Sequence, residues 1–89
     1  MNNLETERKT MLSEAAAHRE REVMHYQINI DNYRLALAEI ATNHAGDTDL
    51  AEFAAQLTEL LSSSIREQAK ERILLTVIRQ QLEAPCSTS

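Results

Sequence analysis

Between Leu12 and His44 the chain places residues at alternating steps of four and three: Leu12, Ala16, Arg19, Val23, Tyr26, Ile30, Tyr33, Leu37, Ile40 and His44. Eight of these ten are apolar or aromatic. A 4-3 spacing kept over more than four heptads is the pattern of one long helix with a coiled-coil-like seam. At 1.5 Å per residue the segment spans roughly 50 Å. Such a rod cannot bury its own seam, so whatever covers this stripe decides the fold. The run Ala15-Ala16-Ala17 has the highest intrinsic helix propensity, and neither Gly nor Pro interrupts the pattern before Gly46. A first helix is expected over about residues 5 to 44. The polar opening around Leu4 and Met11 is expected to fray.

Beside the seam runs a second stripe, Ala17, Met24, Ile28, Leu35 and Ala38, displaced by roughly a quarter to a third of a turn. Two stripes call for two neighbours. The sequence Asn43-His44-Ala45-Gly46-Asp47-Thr48 offers Asn or Gly for a left-handed helix end, then Asp or Thr for the next N-cap. The connection of about residues 45 to 49 is short enough to make consecutive helices antiparallel neighbours. A second helix is expected over about 50 to 84, with Asp49 and Glu52 at its positive end and Pro85 beyond it.

The second helix carries Leu50, Phe53, Leu57, Leu60 and Leu61 on one face, after which the apolar set drifts through Ile65, Ala69, Ile73 and Val77. Such a drift requires a stutter or a bend, for which Ser62-Ser63-Ser64 is the weak point. The last turns gather Ile73, Leu74, Val77 and Ile78, with Leu75 and Leu82 on the far side; Arg79 and Glu83 are spaced to pair. The expected fold is therefore all-α: one domain over residues 1 to 84, a long antiparallel helical hairpin that pairs into a four-helix bundle as a homodimer, with a mobile tail at 85 to 89. The residues expected to carry the dimer or a partner are Tyr26, Ile30, Tyr33, Leu37, Ile65, Leu74, Leu75, Ile78 and Leu82.

Charge and composition narrow the function classes. A net charge of −5 removes the clustered Lys and Arg on which phosphate binding depends, so nucleic acid is not an expected partner. A nucleic-acid-associated dimer would have to align Arg8, Arg19 and Arg21 across its axis. No stretch is apolar enough for a membrane span, the start lacks the apolar core of a signal peptide, and the one cysteine, Cys86, has no partner for an internal disulfide. A cytoplasmic protein that binds another protein is expected.

Chemistry-bearing constellations are sparse. Glu22 and His25 form a Glu-x-x-His, the spacing that carboxylate-bridged di-iron bundles use, and a dimer would supply two copies. Glu22 faces away from the seam, however, and a solvated i, i+3 pair is the preferred reading; no cofactor is expected. His18 and His25, seven apart, are too distant to share a metal within one chain, and His44 reads as a residue at a helix C-terminus. Arg19 is the one charge within the main seam. Its stem can snorkel out past Ala16 and Val23, the preferred reading, or its charge can meet a carboxylate and set register. Cys86 has no activating neighbour, and no catalytic triad, phosphate loop or zinc spacing occurs, so enzymatic activity is not expected.

An acidic hairpin with an Ala- and Gln-rich helix such as EQAKERILLTVIRQQL, Glu67 to Leu82, resembles the small helical accessory proteins encoded in the early regions of lambda-like phages. Small plasmid and secretion-chaperone hairpins are similar in plan. The phage resemblance implies a protein that binds and redirects a host or phage protein and turns over no substrate.

Overall fold

The structure, a computed structural model, describes residues 3–84. Two helices form a hairpin: α1, Asn3–Asn43, and α2, Ala51–Glu83, joined by a turn and the short 3-10 helix Thr48–Leu50. The molecule measures 68 × 17 × 16 Å. Its radius of gyration is 19.9 Å, against about 12 Å for a compact chain of this length. It is a rod two helices thick.

The seam of α1 is the one its sequence spells. Ala16 and Ile30 are buried, Leu12, Arg19, Val23, Tyr26, Tyr33, Leu37 and Ile40 are half-buried, and all lie on the side facing α2. His44 lies beyond the end of α1 and is exposed. The partner seam starts at Leu50 of the 3-10 helix and continues on α2 as Ala54, Leu57, Leu61, Ser64, Gln68, Glu71, Leu75, Ile78 and Leu82. These positions also follow steps of four and three from end to end, straight through the serines. No stutter is needed, and α2 is one uninterrupted helix.

This register reverses the expectation for the last turns of α2. Leu75, Ile78 and Leu82 turn inward, with Leu75 only 6% exposed, while Ile73 is 64% exposed and Leu74 and Val77 are also out in solvent. The reason is positional. Ser64, Gln68 and Glu71 occupy inner positions, so the apolar residues beside them, Ile65, Ala69 and Ile73, are displaced outward.

The turn also differs from expectation. His44 donates its backbone N–H to Ile40, and the Asp47 N–H returns to the His44 carbonyl at 3.0 Å. Among the described residues no position has positive φ, Gly46 included. The left-handed helix end offered by Asn43 or Gly46 is thus not used. Asp47 sits in extended backbone and caps the 3-10 helix, its carboxylate accepting from the Asp49 N–H at 3.0 Å.

Candidate functional site

The middle of the seam is polar. Arg19 donates from Nη1 to Oε1 of Glu71 at 2.7 Å, the two side chains 32% and 17% exposed. Arg19 therefore meets a carboxylate across the seam and does not snorkel outward. The reason is that Glu71 takes up an inner position of α2 at the same height. About one turn nearer the loop, Nε2 of the buried Gln68 donates to the Val23 carbonyl at 3.1 Å and to Oε1 of Gln27 at 2.9 Å. No buried side-chain polar atom lacks a partner among the described residues. Two apolar halves thus flank a hydrogen-bonded waist. Leu12, Ala16, Leu75, Ile78 and Leu82 lie toward the open end, and Ile30, Tyr33, Leu37, Ile40, Leu50, Leu57 and Leu61 toward the loop.

Two further bonds fix which edges of the helices meet. Arg8 donates to Gln81 at 2.7 Å on one side of the rod, and Arg79 pairs with Glu20 at 2.9 Å on the other. Arg79 was expected to pair with Glu83 along its own helix. Glu20 lies across the groove and draws it away.

Of the nine residues expected to carry the dimer or a partner, seven line the interface within the hairpin. Ile30, 2% exposed, and Leu75 are buried there, and Tyr26, Tyr33, Leu37, Ile78 and Leu82 flank them. Only Ile65 and Leu74 are exposed. Of Leu74, Leu75, Ile78 and Leu82, Leu75 is buried and Ile78 and Leu82 are half-buried along the seam, which leaves Leu74 exposed beside Ile78, one turn away.

What remains outside is considerable. Met24, Ile28 and Leu35 are all more than half exposed. They stand between about a third and a half of a turn from the seam, farther round than expected, and so line the outer side of α1. The outer apolar residues of α2 are Phe53, Leu60, Ile65, Ile73, Leu74 and Val77. At the open end, Leu4, Met11, Leu12, Ala15 and Gln81 line a shallow depression of about 500 Å³.

Glu22 and His25 lie 3.7 Å apart on a flank of α1, and no group of three possible metal ligands occurs among the described residues. His44 lies 3.8 Å from Glu39, which also accepts from the Asn43 side chain at 2.8 Å. Of the three arginines expected to align in a nucleic-acid-binding dimer, Arg8 and Arg19 are engaged by Gln81 and Glu71. Cys86 and the tail expected at 85 to 89 lie outside the described residues. No helix among the described residues is long and apolar enough to cross a membrane. No family model matches the chain, and neither curated proteins nor solved structures give a match.

The sequence reading missed Ser64, Gln68 and Glu71 as seam residues. A signal was available: counting strictly by four and three from Leu50 passes through all three and lands on Leu75, Ile78 and Leu82.

Proposed function

We propose that this chain is a non-enzymatic protein-interaction module. It is a cytoplasmic helical hairpin that forms a homodimer and docks onto another protein whose activity it modulates, as the resemblance to phage accessory proteins implies. One observation carries this reading. Four apolar side chains are buried among the described residues, Ala16, Ile30, Leu57 and Leu75, whereas eleven large apolar side chains are exposed. An interior that small is marginal for a chain of this size, and apolar surface on both sides of a rod marks contact with other chains.

The division of labour follows from geometry. Residues of the seam hold the hairpin together, and the outer apolar residues do the binding. Substituting Leu75 would unfold the hairpin and say nothing about a partner, whereas Ile65 and Leu74 can be changed without touching the seam. The experiment is affinity capture from host cells with wild-type protein and the double variant Ile65→Glu, Leu74→Glu, with circular dichroism to show that both are equally helical. A protein retained by the wild type and lost by the variant supports the reading. Capture profiles that do not differ would contradict it.

A further inference from the structure

The outer stripe of α1 has a chemical symmetry of its own. In chain order it reads Ala17, Arg21, Met24, Ile28, Asp31, Leu35. All except the half-buried Ala17 are exposed. Asp31 accepts from Gln27 at 2.9 Å, and Arg21 enters no ion pair with another described residue. We infer that this stripe is the homodimer interface, packing antiparallel against the same stripe of a second copy about a twofold axis that passes between Met24 and Ile28. The inference rests on the homodimer reading above and deepens it.

Turning one α1 end for end about that axis sets each residue against its mirror position. Met24 meets Ile28 of the second copy, Ala17 meets Leu35, and Arg21 meets Asp31; the twofold repeats each contact. From Ala17 to Leu35, apolar residues thus fall on apolar residues and the charges that interrupt the stripe fall on opposite charges, while Ala38 at its end meets Glu14. A parallel pairing at the same positions would set Arg21 against Arg21 and Asp31 against Asp31, two like-charge contacts in place of two attractive ones. The register also overlaps the helices well. Residues 9 to 43 of each copy run alongside one another, about 50 Å of contact, because the axis lies near the midpoint of Asn3–Asn43. The small side chain of Ala17 gives Leu35 of the second copy room to lie close. The result is a four-helix array in which the two α1 helices form the centre and the outer face of α2 stays open to another protein.

The charge pair makes the register testable by exchange. Sedimentation equilibrium of the full chain is compared for wild type, Arg21→Asp, Asp31→Arg and the double exchange, with helicity checked by circular dichroism. Both positions are exposed; Arg21 lies on the side opposite the seam, and Asp31 reaches it only through Gln27, whose Oε1 can still accept from Gln68 when Asp31 is changed, so all four proteins should be equally helical. Each single change converts two attractive contacts to repulsive ones and should weaken the dimer about tenfold or more. The double exchange should restore it to within about threefold. A wild-type dimer that neither single change weakens would overturn this interface while leaving the homodimer reading intact. A double exchange no tighter than the single variants would overturn the antiparallel register. A wild-type monomer at every concentration would overturn both this interface and the homodimer.

Discussion

Arg19 and Glu71 face each other across the seam at 2.7 Å, each on an inner position of its helix and each more than half covered. In a rod whose apolar positions repeat every heptad, sliding α2 by seven residues costs little hydrophobic contact. An inward charge pair at one height, with the Gln68 hydrogen bonds beside it and Arg79–Glu20 at the edge, makes the correct alignment distinct.

Removing one partner should be costly, and removing both should be cheap. Arg19→Leu leaves the Glu71 carboxylate half-buried without its counter-charge and is expected to destabilise the hairpin by about 1–2 kcal/mol, the range for a buried pair discounted for partial exposure. Arg19→Leu combined with Glu71→Leu is expected to recover that loss or exceed it. Chemical denaturation of the two single variants and the double variant checks this. The double variant should also show more than one alignment when cysteines placed on facing edges are cross-linked.

Gln68 is a second case of polarity kept inside. Its two hydrogen bonds are neutral, and Val23 offers a helix carbonyl that already serves its own ladder. Gln68→Leu is therefore expected to hold or raise stability by about 1 kcal/mol, since apolar burial offsets two modest bonds. A thermal midpoint well below wild type would show that the waist contributes stability as well as alignment.

At the turn, Gly46 is not in the left-handed region, and a Cβ built on it meets nothing within 4 Å. Gly46→Ala is expected to stabilise by about 0.4–1 kcal/mol through the unfolded chain. Asp47→Ala removes the cap on the Asp49 N–H and is expected to cost about 1 kcal/mol. Measured together by chemical denaturation, the two substitutions separate the conformational role of the turn from its hydrogen bonding.

Position relative to the seam should govern truncation costs. Ile30→Ala deletes a side chain that is almost wholly buried and is expected to cost about 2–4 kcal/mol. Ile73→Ala, outside the seam and largely in solvent, is expected to change hairpin stability by less than about 0.5 kcal/mol. Equal costs at the two positions, measured by denaturant unfolding, would contradict the register described for α2.

The hairpin and the inner face of α1 were legible because hydrophobic burial writes them directly: eight apolar residues at regular steps, then a short polar turn. The inner face of α2 was not legible from apolar residues alone. Ser64, Gln68 and Glu71 sit where Leu would be expected, while Ile65, Ile73 and Val77 sit outside, so following hydrophobicity led round the helix and suggested a stutter that the backbone does not have. What decided the register was pairing: Glu71 has a counter-charge in Arg19, and Gln68 has acceptors in Val23 and Gln27. Such complementarity belongs to two segments at once and becomes visible only when their alignment is known. The outer stripe of α1 was visible as a stripe. Its angle was underestimated, which made it look like a flank of the seam and obscured that it faces away from α2.

The most direct test of the proposal that this rod pairs is the absolute mass in solution, by light scattering from micromolar to millimolar concentration, with thermal unfolding followed over the same series. Twice the chain mass of 10.1 kDa, with an unfolding midpoint that rises with concentration, is the expected result, because the outer apolar surface then stabilises the fold through association. A 10.1 kDa particle at every concentration, unfolding cooperatively at a fixed high temperature, would show that the thin interior suffices alone and would contradict that claim.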